Sequence, residues 1–205
     1  YKVAPIMRKE KLVLFKVFMS EDVLEPVNEV LMSGYIGQGP KVEEFEAILQ
    51  QHVGNPNLVT VNSATSALHL AAFLAKKPDP ASGWPGIQVG DQVLTSALTC
   101  TATNWPMLAN GLDIKWVDAD PDTCNIDLDD LEAKLSEKTK LITIVHWGGY
   151  PVDLDRLAAI LDRAEQRLGF RPWVIEDCAH AYGTRYKGAL LGNHGNINCF
   201  SLQAI

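Results

Sequence analysis

Strand-like and helix-like segments alternate along most of this 205-residue chain, and that alternation constrains its fold more than any other feature. A β-rich run, Leu58–Val61, precedes helical spacing over Thr65–Lys76. Asp91–Ala97 reads as a strand, and Thr101–Asn110 as a helix either kinked at Pro106 or started there. Ile114–Val117 is a further strand, followed by a short helix over Asp127–Leu135 with Leu128, Leu131 and Leu135 on one face. Leu141–Val145 has the composition of a buried strand. Asp153 is placed to cap a helix in which Leu154, Leu157, Ile160, Leu161, Ala164 and Leu168 form an apolar stripe, with Gly169 ending it. Trp173–Ile175 opens the next strand, and Ile197–Ile205 reads as the last. This order predicts an α/β fold with a mostly parallel sheet covered by helices.

The rest of the chain is less regular. Asp22–Met32 and Val42–His52 are helix-like, separated by the turn Gly37-Gln38-Gly39-Pro40, and Pro78–Gly90 is expected to be an exposed loop. There is no internal repeat, and no domain boundary is expected within residues 1–205. Hydrophobic residues make up 47% and charged residues 21%, with a net charge of −7. That balance, without a basic patch interleaved with aromatics, argues against nucleic acid as a partner. No apolar run reaches the roughly 20 residues needed to span a membrane. Tyr1–Phe18 lacks the apolar core and cleavage site of a signal peptide. Cys100, Cys124, Cys178 and Cys199 are far apart, which predicts reduced thiols in a cytoplasmic protein. His52, His69, His146, His180 and His194 have no metal-site spacing, so no metal is expected.

Several positions carry possible chemistry. Asn62-Ser63-Ala64-Thr65-Ser66 joins a strand to a helix start, where free N–H groups and hydroxyls suit a phosphate; ordinary helix capping is the commoner use of such residues. Glu176-Asp177 ends a buried strand, where open α/β sheets bind ligands, although an acid there also caps loops. Strand alternation turns Glu176 to the other face. His180 follows three residues on and, alone, reads as a loop histidine. Ser201, on an apolar strand, reads equally as a tolerated small residue. Lys187, in the turn Arg185-Tyr186-Lys187-Gly188, reads as a solvated surface residue.

Taken together, the motifs resemble those of the DegT/StrS family of nucleotide-sugar aminotransferases, fold-type I enzymes that use pyridoxal 5'-phosphate (PLP). Thr65-Ser66-Ala67-Leu68-His69 is similar to the family's T-[AS]-A-L-H, and Glu176-Asp177-Cys178-Ala179-His180-Ala181-Tyr182-Gly183-Thr184 to its E-D-A-A-H-A-x-G-T. The segment from His146 to Asp153 is similar to H-x-x-G-x-P-x-D, and Gly34 to Glu46 to G-x-[IL]-x-x-G-P-x-V-x-x-F-E. Phe200-Ser201 begins the family's F-S-x-x-x-x-K. The resemblance runs from about Val17 to Ile205.

The resemblance implies a three-layer sandwich with a mixed, mainly parallel sheet of about seven strands, and a smaller domain beyond residue 205. It assigns Thr65, Ser66 and Ser201 to the cofactor phosphate, Asp177 to the ring nitrogen and His180 to the 3′-oxygen. Asp177 and His180 form the catalytic set. The Schiff-base lysine is expected at position 206, directly after Ile205 and outside the chain. Cys100 falls where the family has an aromatic residue on the ring, so it is expected only to neighbour the cofactor. Tyr35, Gly37 and Gln38 are implied to border the substrate. The implied reaction is transfer of an amino group, from glutamate, to a nucleotide-linked keto-sugar by a cytoplasmic homodimer. A sugar 3-dehydratase on the same scaffold, with His at position 206, and a non-catalytic relative are the alternatives.

Overall fold

The computed structural model describes residues 17–203. It divides into two compact units, Tyr1–Pro40 with Gln203–Ile205, and Lys41–Leu202. Most of Tyr1–Phe18, and the end of the strand expected over Ile197–Ile205, lie outside the described residues.

In the first unit, the Ser20 hydroxyl caps a 3-10 turn, Glu21–Val23, that leads into helix α1 (Leu24–Ser33). Gly34 ends α1 with φ 76°, the left-handed conformation in which glycine has no Cβ to clash. Tyr35, Gly37 and Gln38 follow in an exposed turn.

The remaining helices are α2 (Pro40–Val53), α3 (Ala64–Leu74), α4 (Thr101–Ala109), α5 (Leu128–Lys134) and α6 (Leu154–Leu168). The strands are β1 (Gln92–Ser96), β2 (Asp113–Val117), β3 (Thr139–Val145), β4 (Trp173–Cys178), β5 (Arg185–Tyr186), β6 (Ala189–Leu190) and β7 (Ile197–Phe200). Five of them form one sheet in the order β2-β1-β3-β4-β7, every pair parallel. β5 and β6 make a separate antiparallel hairpin. The sheet of about seven strands implied by the resemblance is therefore five-stranded among the described residues.

Three local readings also change. Leu58–Val61 is not a strand. Its polar groups are engaged by α2 instead: Glu46 Oε1 accepts from both the N–H and the hydroxyl of Thr60, at 2.6 and 2.7 Å, and Gln50 Nε2 donates to Leu58 O. The last strand stops at Phe200, not Ile205. Pro78–Gly90 is a loop, but not a wholly exposed one. Trp84 and Ile87 are buried, because the Trp84 indole N–H donates to Ala75 O at 2.8 Å and its ring stacks on Trp173.

Side chains alternate across the sheet and divide the core in two. Val93, Leu141, Ile175 and Cys199 pack with Leu68, Ala71 and Ala72 of α3 and Met107 of α4. Leu94, Ile142, Ile144 and Val174 pack with Leu128 and Leu131 of α5 and with Leu157, Ile160, Leu161 and Ala164 of α6. This is the three-layer arrangement that the resemblance implies, with the helix-covered parallel sheet that the alternation predicts. The helix caps are local: Asp153 Oδ1 accepts from Arg156 N–H at 3.1 Å to start α6, and Gly169, at φ 77°, ends it. α4 begins at Thr101 and runs through Pro106.

Strand order locates the site. The chain leaves β1 for β2 on one side and returns to place β3 on the other side of β1. The loops after β1 and β3 therefore diverge at the carboxyl edge, and the crevice between such loops is where open α/β sheets bind ligands.

Candidate active site

Asp177 lies at the carboxyl end of β4, paired with Val145 of β3 and Cys199 of β7. It shares the face of Ile175 and Cys199, under α3 and α4, and is only 4% exposed. Its Oδ2 accepts from Thr103 Oγ1 at 2.7 Å, and its Oδ1 from Ala179 N–H at 3.0 Å. Among the described residues no Lys, Arg or His lies within ion-pair distance of it. A buried carboxylate with lone pairs to spare and no protein cation is suited to a cationic ligand atom.

α3 runs antiparallel to β4 on this face. Its C-terminal Ala75 is held by Trp84, which stacks on Trp173 at the start of β4. The N-terminus of α3 is thus directed toward the carboxyl edge where Asp177 lies. There Ser63 caps the helix, its Oγ accepting from Ser66 N–H at 3.1 Å. Among the described residues no acceptor is placed on the N–H groups of Ala64 and Thr65. Thr65 is exposed and Ser66 half-buried. Ser201 follows β7 by one residue, at the same edge.

His180 is exposed on the turn after β4 and packs edge-on against Trp147, with ring centroids 5.3 Å apart. Gly148 N–H donates to His180 Nδ1 at 3.3 Å. A neutral ring then carries its proton on Nε2, which makes that nitrogen a donor. The 147–150 turn is fixed by Asn125, whose Oδ1 accepts from Trp147 N–H at 2.9 Å and whose Nδ2 donates to Tyr150 O at 3.0 Å. Cys100 is exposed at the residue before α4.

The opposite face carries a second polar cluster. His146 and Glu176 are fully buried, with His146 Nε2 2.9 Å from Glu176 Oε2. Val152 N–H donates to His146 Nδ1 at 3.0 Å, so Nε2 holds the ring proton and donates to Glu176. Asn196 Nδ2 donates to the other Glu176 oxygen at 2.7 Å, and Cys178 donates to Asn198. His146, Glu176 and Cys178 each offer a ligand atom within 4.8 Å of the others, but hydrogen bonds already occupy these groups. Burial, with Glu176 and Asp177 nearby, holds the Cys178 thiol well above its ordinary range, which disfavours the thiolate a metal would need.

The structure brings Asp177 and the α3 N-terminus to one sheet face, with Ser201 and His180 at its carboxyl edge. Tyr35, Gly37 and Gln38 belong to the first unit. Thr103, Thr99 and Asn125 were not singled out by sequence. Thr99 and Thr103 have the spacing of neighbours on a helix, a weak signal; Asn125 carries none.

A profile of the DegT/DnrJ/EryC1/StrS aminotransferase family matches residues 18–205. The chain belongs to that family. It is 54% identical to AtS13 from Actinomadura melliaura, whose crystal structure superposes with a TM-score of 0.86 over 96% of this chain and 51% of that one. It is 30% identical to the putative sugar aminotransferase Spr1654 from Streptococcus pneumoniae in its PLP form, at a TM-score of 0.83 over 96% of this chain and 50% of that one. A UDP-4-amino-4-deoxy-L-arabinose--oxoglutarate aminotransferase of Shewanella sediminis is 36% identical over 199 residues, 97% of this chain and 47% of that protein. The chain thus spans about half the length of these relatives. Among the described residues no helix is long and apolar enough to cross a membrane.

Proposed function

We propose that this chain forms the cofactor-binding part of a PLP-dependent aminotransferase acting on a nucleotide-linked keto-sugar. The observation that carries the reading is the buried Asp177 carboxylate, with no Lys, Arg or His partner among the described residues, on the sheet face capped by α3. Asp177 would hold the cofactor's pyridine nitrogen in its protonated form. The α3 N-terminus, with Thr65, Ser66 and Ser201, suits the cofactor phosphate. His180 presents an Nε2 donor for the ring oxygen. Cys100, exposed on the loop after β1, would neighbour the ring without offering an aromatic face.

Bound PLP supplies an electron sink for chemistry at the carbon bearing the amino group. The protein's part is to hold the ring nitrogen charged through Asp177, orient the ring through His180 and fix the phosphate. The lysine expected at position 206 would attach the cofactor and move the proton. Tyr35, Gly37 and Gln38 are assigned to the sugar-nucleotide side, glutamate to the amino donor, and the assembly to a cytoplasmic homodimer. The relatives' names support the sugar substrate.

The test is borohydride reduction of the full-length protein with PLP, followed by peptide mapping. Cofactor trapped on a lysine directly after Ile205 supports the reading. Cofactor bound but trapped nowhere, with His at position 206, overturns the aminotransferase in favour of the dehydratase. Trapping on Lys187 overturns the site assignment.

A further inference from the structure

Asp177 does not stand alone beneath α4. Thr103, third residue of α4 and 1% exposed, donates its hydroxyl proton to Asp177 Oδ2 at 2.7 Å. Thr99 Oγ1 lies 2.6 Å from Thr103 Oγ1. An ionised carboxylate only accepts, so the single proton of Thr103 is committed to Asp177. Thr99 must then be the donor to Thr103. The two hydroxyls form a directed relay, Thr99 to Thr103 to Asp177.

We infer that Thr99 and Thr103 are positioning residues that orient Asp177 and compensate its buried charge toward the cofactor nitrogen. Three structural features converge on this. The relay places two hydroxyl dipoles with their positive ends toward Oδ2, and each bond polarises the next. The first turn of α4 adds its own partial positive charge on the same side. Ala179 N–H holds the second oxygen at 3.0 Å, so the carboxylate plane is fixed from both ends. Neither bond uses up the remaining lone pairs, which stay available to a ligand.

The relay also ties the loop after β1 to β4. Thr103 N–H donates to Cys100 O at 3.0 Å, and the Asn104 side chain accepts from Thr95 and donates to Ser96 O. The loop carrying Cys100 is therefore built around the same threonine that holds Asp177.

This inference rests on Asp177 as the partner of the ring nitrogen, and the experiment separates the two claims. PLP affinity and the absorbance spectrum of the bound cofactor are measured in the full-length protein. The variants are Thr103→Val, Thr103→Ser, Thr99→Val and Asp177→Ala, with Thr103→Val also combined with Asp177→Ala. Circular dichroism confirms that each apoprotein is folded. Thr103→Val is expected to weaken PLP binding about tenfold, the scale of one hydrogen bond to a charged group, and to shift the bound cofactor's spectrum. Thr99→Val acts in the same direction by about threefold, and Thr103→Ser stays within about twofold of the parent. In the Asp177→Ala background Thr103→Val should have no further effect, because the relay acts only through that carboxylate. A loss that persists there would mark a structural role and overturn the inference. So would normal binding by Thr103→Val while Asp177→Ala binds weakly. Normal binding by Asp177→Ala would overturn the Asp177 reading itself, and the relay with it.

Discussion

Glu176 and Asp177 are adjacent in the chain and serve opposite layers of the molecule. Glu176 Oε2 meets His146 Nε2 at 2.9 Å on the α5–α6 face, while Asp177 Oδ2 meets Thr103 Oγ1 at 2.7 Å on the α3–α4 face. Strand alternation alone separates them. Each accepts one hydrogen bond per carboxylate oxygen, but Glu176 is paired with a buried imidazole, whereas among the described residues Asp177 has no Lys, Arg or His partner.

The Glu176 side is therefore expected to govern stability. His146→Ala leaves a fully buried carboxylate with one donor fewer. Urea unfolding should register a loss of about 3 kcal/mol, the scale of breaking a buried pair. His146→Gln, which can still donate, should recover part of it.

Gly149 sits at φ 81°, and a Cβ there would lie 2.9 Å from His180 O. Gly149→Ala combines left-handed strain with a clash against the backbone of a site residue. Thermal melts should show a loss of about 1–2 kcal/mol from the backbone conformation alone.

Asp153 couples α6 to pH. Arg156 N–H, then the Tyr186 hydroxyl, hold its carboxyl below the usual range. Because the folded value is the lower one, the contribution is present above the unfolded value of about 3.9 and is lost as pH falls through the folded value. Asp153→Ala should cost about 1 kcal/mol at neutral pH, as for a lost N-cap. Acid titration followed by circular dichroism should show a shallower decline in the variant.

The four thiols should divide by burial. Cys100 and Cys124 are exposed, whereas Cys178 and Cys199 are buried. Burial, with Asp177 nearby, pushes Cys199 up to about 12. A thiol reagent at mildly alkaline pH should label the first two in the native protein and the others only after unfolding. Since the folded value is raised, the stabilising contribution of Cys199 is intact below the unfolded value of about 8.5 and is lost as pH rises toward the folded one.

Much of this was legible in the residues. The β/α alternation gave the layers, the stripe from Leu154 to Leu168 gave α6, and Asp153 and Gly169 marked its ends, because each rests on contacts within a few residues. Leu58–Val61 misled for the complementary reason: β propensity is a preference for a pleated neighbour, and here α2 claims the backbone groups instead. Trp84 misled likewise, since a Pro- and Gly-rich composition does not reveal a tryptophan folded back onto Ala75.

For the site, sequence by itself determined which groups stand at the strand ends: Asp177 facing one way and Glu176 the other, Ser63 to Ser66 at a helix start, and His180 on the following turn. Tertiary structure alone decided what each one meets. Thr103 reaches Asp177 across 74 positions of sequence, and Gly148 sets the His180 tautomer from 32 positions away. Such pairings depend on strand order and helix packing, which bring distant loops to one sheet edge, and no local spacing encodes that order.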